Sequence, residues 1–177
     1  MRTLLPDPPP PELQPALEEL LERRRQWGAD THDEVWEGVL HMNPAPHLRH
    51  AQLQAQLLEL LGPLARQRDL IAVADFNLGG PENYRVPDGA LLRPGPGEVF
   101  NATASLVLEV LSPGDETPTK LPFYAAHDVD ELLIIDPDLR TVRWLSLGAD
   151  GNYHDVQGSA LIDLTAGELA NRIDWPA

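Results

Sequence analysis

The chain has 177 residues, with 28 Asp and Glu against 13 Lys and Arg, a formal net charge of −15 and no cysteine. That length suits one domain over 1–177 with a proper core, no apolar run reaches the roughly 18 residues of a membrane span, and disulfides and thiolate metal sites are excluded. The acidity opposes non-specific binding to duplex phosphate, which relies on clustered Lys and Arg, and with no long apolar signal core the whole fits a soluble cytoplasmic protein.

Residues 1–11 are proline-rich and read as an extended lead-in. From Glu12 to Trp27, Leu13, Leu17, Leu20 and Leu21 recur at helical spacing. Acids come early and Arg23, Arg24 and Arg25 late, as the helix dipole favours, and Gly28 is a stop signal. The arginine triplet is either a solvated helix end or a phosphate contact. Val35 to Met42 reads as one strand, closed by Asn43-Pro44-Ala45-Pro46. A second helix is predicted from about Pro46 to Leu61, with Leu53, Leu57, Leu60 and Leu61 inward and Gly62-Pro63 as its end. Short strands follow around 70–76 and 84–93, with 77–81 as a turn or loop. Ala104 to Leu111 is nearly all apolar, as a central strand covered on both faces should be. A short helix near 119–127, a buried strand Glu131 to Asp136, strands at 141–147 and 152–157 and a closing helix at 165–171 complete the pattern. Strands interleaved with helices predict an α/β fold, a mixed β-sheet flanked by α-helices.

Twelve of the cations are arginine and one, Lys120, is lysine. Lysine is a compact charge whose proton affinity responds to burial, whereas arginine stays charged. Either a coding bias left Lys120 by chance, or an ammonium is needed there. Eleven positions earlier, Glu109 interrupts the apolar strand, and a carboxylate inside such a run costs several kcal/mol unless it is paired, metal-bound or neutralised. Asp88, on the preceding predicted strand, offers company of the same sign. Two facing carboxylates call for a cation between them, and Mg²⁺ or Mn²⁺ suits oxygen ligands in a chain without cysteine. Lys120 would neutralise the remainder.

These residues carry a resemblance. Pro87-Asp88, Glu109-Val110-Leu111-Ser112-Pro113, Lys120, Tyr124 and the Asp-Glu-Leu-Leu-Ile-Ile-Asp strand look like the Uma-two family of restriction endonucleases, within the PD-(D/E)XK nuclease superfamily. Trp36-Glu37-Gly38-Val39-Leu40 and Pro44-Ala45-Pro46-His47…His50 look like its first block, so the resemblance spans about 33–147. It implies a restriction-endonuclease-like fold, Asp88 and Glu109 as metal ligands and catalytic acids, Lys120 as the catalytic lysine, Glu37 as the upstream acid and His50 as the helix histidine. Lys120 lies on the helix after the strand, whereas the parent motif has its lysine two residues past the second acid, where this chain has Leu111. The implied activity is metal-dependent hydrolysis of DNA, with His50, Arg85 and Tyr124 toward substrate, Arg93 a further candidate for gripping a backbone, and a homodimer plausible for so small an acidic domain.

Several alternatives stay open on the residues alone. Asp88 would also cap a turn beside Gly89, Glu109 would also pair with an arginine, and Glu37 would also be an exposed strand residue. His47 and His50, three apart, form a possible zinc pair lacking an evident third ligand. Tyr124 packs with its hydroxyl on a partner, and His127 is solvated near the helix end. A nuclease fold that has lost activity and serves as a binding module is the competing function.

Overall fold

The computed structural model describes residues 3–4, 10–114 and 116–176, so most of the expected lead-in lies outside the described residues. In chain order come β1 (Thr3–Leu4), α1 (Gln14–Gln26), β2 (Glu34–Trp36), β3 (Val39–Met42), α2 (Leu48–Arg66) and β4 (Ile71–Val73). Then follow β5 (Asn77–Gly80), β6 (Asn83–Arg85), β7 (Gly89–Leu92), β8 (Phe100–Asn101), β9 (Leu106–Val110) and α3 (Thr117–Ala126). The chain closes with β10 (Glu131–Asp136), β11 (Thr141–Leu147), β12 (Tyr153–Val156), β13 (Gly158–Ser159), β14 (Leu164–Thr165) and α4 (Ala166–Arg172).

The main sheet has the order β12-β11-β10-β9-β7-β4, and a second sheet the order β1-β3-β2-β6-β5-β8. Within the main sheet only β9 and β10 run parallel, with α3 in the connection between them. Strand alternation divides the burial of β9 between two clusters. Leu106, Leu108 and Val110 join Leu53, Leu57 and Leu61 of α2 and Leu169 of α4 on one face. Val107 joins Phe123 and Tyr124 of α3 and Leu78 of β5 on the other. Glu109 shares this second face, so its carboxylate is sealed between the main sheet, α3 and the second sheet. α4 begins with a capping box, Thr165 accepting the Glu168 N–H while Glu168 reaches back to the Thr165 N–H.

Four stretches differ from the sequence expectation. The strand expected over 35–42 is a hairpin, because Glu37 (φ 48°) and Gly38 (φ 85°) form a two-residue turn with both residues left-handed. The strand expected over 84–93 breaks at Val86-Pro87-Asp88: Pro87 has no N–H for a ladder, so β6 stays in the second sheet and β7 enters the main one. Asp88 therefore sits at the junction just ahead of β7. α2 runs through Gly62-Pro63 to Arg66, since Ala65 extends the buried stripe of Leu53, Leu57 and Leu61 by another turn. Residues 77–80, expected as loop, pair with β6 and β8.

Candidate active site

The β7–β9 register pairs Gly89 with Leu108 and Ala90 with Val107. Carried one step further, it brings Asp88 abreast of Glu109. Asp88 lies beyond the ladder, and its side chain takes over the hydrogen bonding: Oδ2 accepts the Val110 N–H at 2.7 Å. Oδ1 lies 2.8 Å from His50 Nε2, and His50 Nδ1 lies 3.2 Å from Ser112 Oγ. One turn along α2, Gln54 Nε2 donates to the Asp88 carbonyl at 2.7 Å. α2 thus grips the junction twice, at spacing i, i+4. Gly89 is tightly enclosed, and a Cβ there would approach Leu58 Cδ2 to 3.1 Å and the Val73 carbonyl to 3.2 Å.

Glu109 Oε1 accepts the Lys120 ammonium at 3.1 Å and also the Tyr124 hydroxyl, the two donors standing one helical turn apart on α3. Lys120 Nζ reaches a second carboxylate, Glu34 Oε1, at 2.9 Å. Glu34 is fully buried on β2 and further accepts the Val86 N–H at 2.9 Å and the Trp36 indole N–H at 2.8 Å. Lys120 is itself 3 % exposed, so the ammonium bridges two buried acids.

Electrostatics separate these acids. Burial, opposed by the Lys120 charge and reinforced by Asp88, pushes the Glu109 carboxyl up to about 7. Burial works on Glu34 too, but the Lys120 charge and the hydrogen bonds from Val86, Lys120 and Trp36 outweigh it and hold Glu34 below the usual carboxylate range. Burial and then the Glu109 charge raise the Tyr124 phenol well above its ordinary value, so it serves as a hydrogen-bond donor. Asp88 and Glu109 are hard oxygen donors from adjacent segments, and their mutual repulsion is what a divalent cation would relieve. Carboxylate oxygens are the donor type that Mg²⁺ or Mn²⁺ takes.

Of the residues expected at the site, the structure brings together Asp88, Glu109, Lys120, Tyr124 and His50. Glu37 stands apart: its side chain is 72 % exposed in the hairpin turn and touches Arg85 at 3.3 Å. The upstream acid in the cluster is Glu34, which the sequence reading passed over. The turn was the signal that distinguishes the two, because a left-handed Glu37-Gly38 pair removes Glu37 from the strand. Arg85, expected toward substrate, is 2 % exposed and turned inward. Arg93 pairs with Asp130 at 3.3 Å, beyond the far end of β7. His47 is exposed at the start of α2 while His50 faces Asp88, and among the described residues no group of three or more His, Cys, Asp or Glu is arranged to hold a metal. His127 turns from the cluster to the Ala102 carbonyl at 2.9 Å.

Mixed sheets flanked by helices, with two acids where β7 and β9 meet, define the restriction-endonuclease-like fold. A solved structure from Anabaena variabilis ATCC 29413, described as "a putative nuclease belonging to DUF820", is similar at a TM-score of 0.64 and 19 % identity, over 79 % of this chain and 90 % of that one. A family model, Uma2, described as "Putative restriction endonuclease", matches residues 17–172, and the chain belongs to that family. No curated protein matches it.

Proposed function

We propose that the chain is a metal-dependent endonuclease that hydrolyses DNA phosphodiester bonds as a single cytoplasmic domain, with Asp88 and Glu109 holding Mg²⁺ or Mn²⁺. The observation that carries this reading is the register that sets Asp88 abreast of Glu109 at the β7–β9 junction, with the sole lysine on the Glu109 carboxylate. A bound divalent ion would supply positive charge for the phosphoryl oxygens and acidify water.

The chain's own residues do the rest. The Val110 N–H and His50 fix the Asp88 carboxylate, and Tyr124 and Lys120 fix that of Glu109. Lys120 offsets charge gathering on the phosphoryl group, and a preorganised ammonium in a dry site does so at little reorganisation cost. Glu34 takes the place expected of Glu37 and shares the Lys120 ammonium with Glu109. Of the three residues expected toward substrate, His50 alone keeps access to solvent, at 14 % exposure of its side chain. The net charge of −15 makes DNA contact local to this site. Two copies acting together enlarge that contact, and we include a homodimer in the proposal.

A second reading is favoured by the depth of Lys120 between two carboxylates: a nuclease fold retained as a binding module. One titration separates the two. Mn²⁺ and Mg²⁺ are added while thermal stability and cleavage of plasmid and single-stranded DNA are followed; an ion that binds the native form raises stability by mass action. The nuclease reading expects stabilisation, cleavage, and loss of at least 100-fold of that cleavage in Lys120→Met and Lys120→Arg. Stabilisation without cleavage gives the binding module, and cleavage by Lys120→Arg removes the role given to the ammonium.

A further inference from the structure

Among the described residues the fold buries two cations, Lys120 and Arg85. Arg85 forms no hydrogen bond or ion pair with the acids that Lys120 bridges, although it feels the Glu34 charge, and it stands between the elements that carry them. Its guanidinium carbon lies 4.3 Å from the ring centroid of Trp36 and 4.1 Å from that of Phe123. Trp36 is on β2, two residues from Glu34, and sends its indole N–H to Glu34 Oε2 at 2.8 Å. Phe123 is on α3, three residues past Lys120. The edge of the guanidinium is also engaged: Nη1 donates to the Val35 carbonyl at 3.0 Å, Asn83 Oδ1 at 2.9 Å and the Tyr84 carbonyl at 3.2 Å. Nη2 meets Glu37 Oε1 at 3.3 Å.

A planar guanidinium presents its faces to aromatic rings while its rim donates hydrogen bonds, which a lysine ammonium cannot do. Glu34 and Lys120 come from different layers, β2 in the second sheet and α3 over the main one. Their 2.9 Å contact therefore depends on how the hairpin sits against the helix. At 2 % exposure Arg85 is closed off from a phosphate in solvent, and its Nε is buried without a hydrogen-bond partner among the described residues.

We propose that Arg85 is a positioning residue: it clamps Trp36 to Phe123, and Trp36 in turn aims Glu34 at Lys120. The consequence for catalysis rests on the nuclease reading, whereas the clamp itself is testable without activity.

Because Lys120 is the sole lysine in the sequence, protein grown with ¹³C,¹⁵N-lysine gives one lysine side-chain signal. Wild type is compared with Arg85→Gln, Trp36→Phe, the double variant and Phe123→Leu. The expected result is a shift of the Lys120 signal toward free lysine in both single variants, with the double variant moving no further than the larger single one, as residues acting in series are non-additive. Phe123→Leu, which loosens the clamp without removing a charge, shifts the signal in the same direction. On the nuclease reading, Arg85→Gln lowers kcat at least tenfold while KM stays within twofold.

An unmoved Lys120 signal in folded Arg85→Gln, or shifts that add in the double variant, overturns the chain from Arg85 to Lys120. So does a weakened KM with the lysine signal unmoved, which would return Arg85 to substrate contact. If Arg85→Gln does not fold, Phe123→Leu decides: an unmoved signal there overturns the clamp. A wild-type protein that cleaves nothing would end the nuclease reading and leave the lysine measurement standing.

Discussion

Glu34 and Glu109 share one ammonium, yet burial and hydrogen bonding drive their proton affinities in opposite directions, which gives the metal-free protein a two-sided pH dependence. An acid whose folded value is raised keeps its proton longer in the native chain. The Glu109 contribution is therefore full below about 4.5 and fades as the pH climbs to about 7. For Glu34, whose folded value is lowered, the contribution is present above its ordinary value of 4.5 and lost as the pH falls through the folded one. Denaturant unfolding in chelator should show both limbs. Glu109→Gln should flatten the limb between about 4.5 and 7, removing a slope on the order of 3 kcal/mol at most, while Glu34→Gln should flatten the acidic limb alone. A wild-type stability that rises steadily from pH 5 to pH 7 and follows Glu109 would contradict the assignment. In this frame the same carboxyl that resists ionisation when metal-free is the one a divalent ion would recruit.

The β2–β3 hairpin decides which acid enters the cluster. Its two-residue turn places Glu37 at φ 48° and Gly38 at φ 85°, both in the region where asparagine and glycine are at ease and glutamate is strained. Glu37→Asn should therefore relieve the turn by a few tenths of a kcal/mol to about 1 kcal/mol, offset by loss of the 3.3 Å contact with Arg85, and leave any cleavage intact, because the exposed side chain lies outside the cluster. Loss of cleavage in Glu37→Asn, with stability kept, would restore Glu37 to the role that Glu34 now holds. The same turn explains why one expected strand became two. An Asn-Gly pair would have announced it, whereas Glu-Gly supplies only half of the usual signal. In α2 the balance tips the other way: a proline normally ends a helix at a cost of roughly 3 kcal/mol, but burial of Leu61 and Ala65 carries the helix past Pro63.

At the scale of the whole molecule, α1 contributes no buried residue and leaves Leu13, Leu20 and Trp27 exposed at 56 %, 42 % and 75 %. Their seven-residue spacing forms a stripe along one edge of the helix, the pattern of a helix–helix seam. Two copies packed antiparallel would set the basic end of each helix toward the acidic start of the other, although Arg23, Arg24 and Arg25 already pair with Glu19, Asp33 and Glu22 of their own chain. A homodimer through this stripe should sediment as such at tens of micromolar, and Leu20→Glu should convert it to monomer without changing the far-ultraviolet spectrum. A monomeric wild type at that concentration would remove the dimer from the proposal.

The sequence alone determined the interleaved α/β pattern, the buried strand around Glu109 and the isolation of Lys120, because periodicity, apolar runs and a lone charge in a dry segment are written in local order; that Asp88 lies beside Glu109 followed from the family resemblance. It could not choose between Glu34 and Glu37, nor tell that Arg85 points inward. Those outcomes depend on a left-handed turn with a weak signal, and on aromatic rings contributed by residues 49 and 38 positions away in the chain. Tertiary structure decided them because an ammonium, a guanidinium and three carboxylates must balance one another in three dimensions, and only the packing of the second sheet against α3 fixes which of them meet.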